Sequence, residues 1–199
     1  MTSSVYQQDS SADAAKLKAD PTNALLSRRN PQRLQAEAIR DSLLFVSGVL
    51  DTNMFGPGTL DQASRRRSIY FTVKRSQLVP AMQAFDAPEP LVSQGTRPTT
   101  TVAPQALLLM NSPHVRSWAA AFAKRIAPSP NQPLAEAVTR AYALALNRPA
   151  SKSERTDAVA FINVQAARYH AEEKPDARDL ALTDFAQAMF GLNEFIYAE

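Results

Sequence analysis

The sequence predicts a mainly α fold: a multi-helix orthogonal bundle with one small β element near residues 66–75. Three observations carry that reading. Apolar residues recur at helical spacing in one segment after another, and most of these segments open on a cap or a proline. Only one stretch, Ser68–Arg75, alternates with a period of two. Five glycines against fourteen prolines point to sharply ended segments joined by stiff loops. The division expected is a polar segment 1–29, the remnant of a longer domain, and a single helical domain over 30–199.

The elements follow in order. Ala12–Lys18 is a short helix candidate that Asp20-Pro21 breaks. Asn30-Pro31 offers an N-cap residue and a first-turn proline, so a helix is expected from Gln32 to about Leu50. In it Leu34, Ala38, Ser42, Phe45 and Val49 form one stripe, Ile39, Leu43, Val46 and Leu50 lie beside it, and Glu37 and Arg40 fall elsewhere. The end of this helix is apolar nearly all round, which marks a central core element. Gly56-Pro57-Gly58 is a loop, and in the strand that follows Ile69, Phe71 and Val73 point one way. Leu78–Phe85 reads as a short helix, and Pro88 and Pro90 keep the next segment extended. Thr99, Thr100 or Thr101 is expected to cap the helix that Pro104 opens, Gln105–Asn111. Ser112-Pro113 starts another, with Val115, Trp118, Ala119, Phe122 and Ile126 on one face. Pro128, Pro130 and Pro133 separate it from Leu134–Leu146, whose inward residues are Leu134, Val138, Ala141, Tyr142 and Ala145. Ser151-x-x-Glu154 is a capping box that begins a helix running to about His170. A last helix, Asp179–Phe190, is expected to end on Gly191 in the left-handed conformation, ahead of an apolar tail, Leu192–Tyr197.

Composition excludes several chemistries. The absence of cysteine removes disulfides, thiolate nucleophiles, iron–sulfur ligation and covalent c-type haem attachment within this chain. No stretch approaches the ~18 apolar residues of a membrane span, and the start lacks the basic and apolar regions of a signal peptide. The net charge is +3; residues 1–100 carry 12 basic and 9 acidic side chains, and residues 101–199 carry 10 of each. An excess that small argues against nucleic acid as the partner. The phosphate-loop, dinucleotide, nucleophile-elbow and zinc-protease motifs are missing. His114 and His170 lie in different helices and make no metal-ligand spacing, so no metal is expected.

The candidate site lies between Arg65 and Pro113. Arg65-Arg66-Arg67 with Lys74-Arg75 could pair with phosphate, sulfate or an acidic polymer, since arginine binds such groups bidentately. Asp86 and Glu89 flank proline and form the one carboxylate pair with acid–base potential. Arg67, Lys74, Arg75, Asp86 and Arg97 are therefore the anion- or polysaccharide-binding candidates. If a concave pocket joins Asp86, Glu89, Arg67 and Arg97, a polysaccharide-active enzyme gains support. If Asp86 caps a helix and Arg67 pairs with a local carboxylate, an interaction module does.

Several stretches carry a resemblance: "TSSVYQQDS", "DPTNALLSRRNPQRLQAEAIRDSLLFVSGVLD", "RRSIYFTVKRSQLVPAMQAFDAPEP", "TTTVAPQALLLMNSPHV", "RAYALALNRPASKSE" and "GLNEFIYAE". Together they resemble the C-terminal domain of unknown function, PSD-one type, of planctomycete multidomain proteins with cytochrome-c-like modules. Members usually show "YRQSS" and an arginine-rich "W-R-x-x-R-R-R-L" stretch; here Tyr6–Ser10 reads YQQDS and Leu26–Leu34 is thinner in arginine. The resemblance implies an accessory module of a cell-envelope or secreted protein, periplasmic or extracellular. It also implies haem c in an upstream domain and no cofactor in this chain. Its expected partners are the parent's other domains, and it supplies no catalytic residue; the basic excess of the first half adds an acidic polysaccharide to the expected partners. In such proteins the "TS-x-x-Y" motif lies inside a longer domain, so Met1 is expected to be an internal start and the chain a fragment.

Overall fold

A computed structural model describes residues 2–11, 13–91 and 93–198. Met1 and Ala12, on which the internal start and the first predicted helix residue fall, lie outside the described residues. Among the described residues the fold is mostly helical, with one small two-stranded antiparallel sheet. The first helix, α1 (Ala14–Ala19), is capped by the Asp13 carboxylate, which accepts from the Lys16 N–H at 2.7 Å.

The small sheet is not where the sequence places it. It pairs β1 (Gln32–Arg33) with β2 (Tyr197–Ala198) at the far end of the chain, and the Leu34 N–H donates to the Ile196 carbonyl at 2.8 Å. The alternating stretch forms a 3-10 turn, Ser68–Tyr70, and isolated bridges (Asp51 with Arg66, Thr59 with Phe71, Lys74 with Gln77) instead of a strand. Alternation yields a stable strand only when one face is buried, and here Ile69 and Val73 are 73% and 79% exposed. The turn is locked by Asp41, whose carboxylate accepts from the Ser68 N–H and hydroxyl, both at 2.7 Å. The adjoining 51–59 loop lies against this turn so closely that a Cβ on Gly58 would sit 2.6 Å from Thr72 Oγ1.

Because residues 32–33 are spent in the sheet, the central helix α2 (Ala36–Ser47) starts four residues later than predicted and stops at Gly48, φ +77°, not at Leu50. Its buried face is Ala36, Ile39, Arg40, Leu43, Leu44, Val46 and Ser47. Phe45, placed by its spacing on one stripe with Leu34 and Ala38, is 63% exposed. Arg125 donates to the Phe45 and Val46 carbonyls at 2.9 and 2.7 Å, so a cation closes the end where the helix dipole is negative.

The short helix α3 (Pro80–Ala84) and the apolar α4 (Ala103–Asn111) follow, both opening on proline. The N-cap of α4 is Val102, not a threonine; Gln105 reaches back to the Val102 N–H, and Thr100 is engaged elsewhere. Beyond Asn111 the local signals hold. Ser112 caps α5 (Pro113–Ile126) through the Val115 N–H, and the five predicted core residues of that helix are all buried. After α6 (Leu134–Leu146), Asn147 takes the left-handed cap. The Ser151–Glu154 capping box opens α7 (Lys152–Ala171). Gly191, after α8 (Ala177–Phe190), has φ −88° and is right-handed, because the chain continues directly into α9 (Asn193–Ile196).

The core forms where α8 packs between α5 and α7, with α2 on the other side of α5. Phe122, Phe190 and Phe195 stack in sequence, with ring centroids 5.6 and 5.4 Å apart. Two polar clasps tie the bundle. Asp184 accepts from Arg116 at 2.5 Å and from the Tyr169 hydroxyl at 2.9 Å, which joins α5, α7 and α8. Arg148 forks onto both Glu154 and Glu194 at 2.5–3.0 Å and joins the α7 start to α9.

Candidate functional site

The segment 67–78, α3 and the irregular runs 86–91 and 93–98 enclose an open groove of about 780 Å³ against the start of α2. Arg67, Lys74, Asp86, Glu89 and Arg97 line it together; Arg75 does not. Lys74, Arg75 and Glu89 are exposed. The concavity that favours an enzyme is thus present, and so is the pairing that favours a module: Arg67 lies 3.5 Å from Asp41.

Asp86 decides what the groove can do. It ends α3 in the left-handed region, φ +61°, a conformation that aspartate tolerates better than most residues. It caps no helix; its carboxylate bridges distant pieces of chain. It accepts from Arg33 at 2.5 Å, from the Thr100 N–H at 2.7 Å and from the Thr100 hydroxyl at 2.8 Å. Burial pushes its carboxyl up, but the Thr100 hydrogen bonds and the Arg33 charge outweigh burial and hold it below the usual carboxylate range. An acid held ionised in this way is a poor proton donor at neutral pH.

Arg97 is likewise engaged. Its three nitrogens donate to the Asp86 carbonyl at 3.2 Å, Gln35 Oε1 at 2.7 Å and Glu37 Oε1 at 2.8 Å. This triple clasp fastens the 86–98 run to the first turn of α2. The groove's charged lining is Arg67, Lys74 and Arg97 against Glu37, Asp41, Asp86 and Glu89, a balance that does not attract an acidic polymer.

Two arginines that matter most here escaped the sequence reading. Arg33, assigned to a helix, stands on β1 with a side chain 4% exposed, its guanidinium 5.7 Å from the centre of the Phe85 ring. Its partner Asp86 is 53 residues away, so no local pattern signals the pair. Arg40 is 4% exposed and donates to the Arg66 carbonyl, the Ser68 hydroxyl and the Ser64 carbonyl. Its guanidinium lies 4.6 and 5.7 Å from the Phe71 and Trp118 ring centres. Burial lowers its pKa, offset in part by Asp41 and Asp61. A signal for Arg40 did exist: it sits four residues after Ala36 and three before Leu43, on the apolar face.

His114 stacks on Trp118, centroids 6.3 Å apart, and no three His, Cys, Asp or Glu side chains among the described residues are grouped to hold a metal ion. Among the same residues no helix is long and apolar enough to cross a membrane. No curated protein and no solved structure matches the chain. A family model does match it over residues 1–162, from the polar N-terminal segment through the groove and into α7. The chain therefore belongs to the PSD1 family, described as proteins of unknown function (DUF1553).

Proposed function

We propose that this chain is a non-catalytic accessory and interaction module of an exported, cell-envelope multidomain protein of the planctomycete type. In that protein haem c is held by an upstream cytochrome-c-like module, and the groove docks another domain of the same polypeptide in the periplasm or outside the cell. The motif resemblance and the family membership support the setting. One observation carries the docking role: the part-buried charges of the groove are spent on clasps within the chain, while its rim leaves Ile69 and Val73 exposed as apolar contact surface.

The test compares hydrogen exchange of this chain alone with that of the full parent protein. Docking slows exchange of the amides in 67–78 in the parent at least tenfold, and an Ile69→Asp/Val73→Asp variant removes that protection. Equal exchange in both forms refutes the docking role. A second reading, a carbohydrate-binding module or polysaccharide-active enzyme using Asp86 and Glu89, is favoured by the shared groove that collects both carboxylates with Arg67, Lys74 and Arg97. The near-balanced lining charge and the ionised Asp86 weigh against it at that place.

A further inference from the structure

Beside the Arg97 clasp lies a second pocket of about 670 Å³ between the small sheet, the start of α2 and the 97–101 segment, sharing Gln35, Arg97 and Pro98 with the groove. Its lining differs in kind from that of the groove. Arg33 and Arg97 contribute two guanidinium groups, and among the described residues no acidic side chain lines it. Hydroxyls come from Thr99, Thr101 and Tyr197, the last two 3.1 Å apart, and Gln35 adds an amide.

Arg33 is the informative residue. Its side chain is 4% exposed, yet only one of its nitrogens, Nη2, has an acceptor, the Asp86 carboxylate at 2.5 Å. Nε and Nη1 are buried without a hydrogen-bond partner. Buried donors are almost always satisfied, and a charged donor more stringently than a neutral one. Where such a group lies in a pocket wall, the acceptor it lacks is the chemistry of the ligand. Glu37 Oε2 is also unpartnered, but Glu37 faces the groove and not this pocket.

We propose that this pocket binds a hydroxy-carboxylate of the sugar-acid class, its carboxylate on Arg33 and its hydroxyls among Thr99, Thr101 and Tyr197. A guanidinium prefers a planar carboxylate, and Arg33 keeps two donors beyond the one that Asp86 occupies. The volume lies within the range of small-molecule sites and exceeds what a bare inorganic anion needs. The ring of hydroxyls and amide supplies donors and acceptors together, which a polyol matches and a simple acid does not. The proposal does not rest on domain docking in the groove, whose exposed apolar rim at Ile69 and Val73 is no part of this pocket.

The experiment titrates the chain with galacturonate, galactose, acetate and phosphate, and reads the Arg33 side-chain Nε–H by nitrogen-edited NMR together with the shift in melting temperature. Galacturonate moves the Arg33 signal and binds at least tenfold more tightly than each of the other three. Arg33→Lys, which keeps the charge and loses the guanidinium, weakens galacturonate at least tenfold. Tyr197→Phe, which leaves the ring in place, weakens galacturonate severalfold and leaves acetate unchanged. Trigalacturonate then separates the sources: tighter binding than the monomer places the acid on a polymer, and equal binding assigns a free sugar acid. Galacturonate binding no better than galactose or acetate, or leaving the wild-type Arg33 signal unmoved, overturns the proposal, and neither readout depends on a variant folding.

Discussion

Replacing Arg40 with methionine tests the claim that a buried cation holds the front of the molecule together. Methionine fills much of the same volume without a donor. The change strands two carbonyls, Ser64 and Arg66, while the Ser68 hydroxyl keeps its bond to Asp41. At ~1.5 kcal/mol for each acceptor that loses a charged donor, the loss is about 3 kcal/mol. The contacts with Phe71 and Trp118 add roughly 1 kcal/mol. Relief of the buried charge returns on the order of 1 kcal/mol, since Asp41 at 3.9 Å compensates it only in part. The net is ~3 kcal/mol, which lowers the urea midpoint by about 1 M for a typical slope. Trp118 is the only tryptophan and lies against the mutated side chain, so its fluorescence follows the transition. Exchange of the Thr59 and Thr72 amides, which hold the 51–59 loop to the turn, should quicken before global unfolding. A loss below 1 kcal/mol with unchanged exchange at those amides would refute the role given to Arg40.

Two further outcomes follow from the ion pairs. Asp86→Asn keeps a residue suited to φ +61° but removes the charge opposite Arg33, and should cost about 2–3 kcal/mol by urea denaturation, since both side chains are largely buried; a neutral result would mean that the pair is not a structural tie. Glu154 is held down to about 2 by Arg148 and the Ser151 N–H, so its stabilisation is present above the usual carboxylate range and fades as pH falls through that range toward 2. Solvent screening at this part-exposed pair leaves ~1 kcal/mol, and Glu154→Gln should lose that amount at pH 7 and nothing near pH 2.

What was legible in the sequence depended on where the partner of each residue lay. From Ser112 to Ala171 the helix boundaries read correctly, because Ser112 and Ser151 cap N–H groups three residues on and Asn147 turns left-handed at the end of α6; α8, which has no side-chain cap, starts at Ala177, two residues before the predicted Asp179. At Asn30-Pro31 the same logic failed, because Gln32 and Arg33 pair with Ala198 and Tyr197, and a contact across that separation leaves no local trace. The period of two at Ser68–Arg75 misled for a related reason: the pattern is real, but no neighbouring strand or core covers Ile69 and Val73. The candidate site was legible in membership, since five of the predicted residues line one groove, but not in state. That Asp86 is neutralised by Arg33, and Arg97 by Glu37, rests on long-range pairs that composition cannot reveal.

The basic excess of the first half, which suggests an acidic partner when read from charge alone, has a structural explanation in the irregular backbone of that half. Backbone carbonyls outside helices and sheets need donors, and arginine supplies them from a distance. Arg28 donates to the Asp20 and Pro21 carbonyls, Arg40 to Ser64 and Arg66, and Arg66 to Phe55 and Pro57, with Tyr70 beneath its guanidinium at 3.6 Å. Arg178 does the same from the helical half for Gln132, and Arg125 serves the last-turn carbonyls of α2, Phe45 and Val46. In the loops the cation replaces the ladder partner that is lacking, so arginine in the first half marks backbone that needs bracing more than a surface that awaits an anion. Arg33 departs from that pattern. It sits on a strand that already has its partner, keeps two buried donors unspent and lines a pocket with no acid among the described residues, which is why it, and not the Arg65–Arg67 run, carries the case for a bound anion.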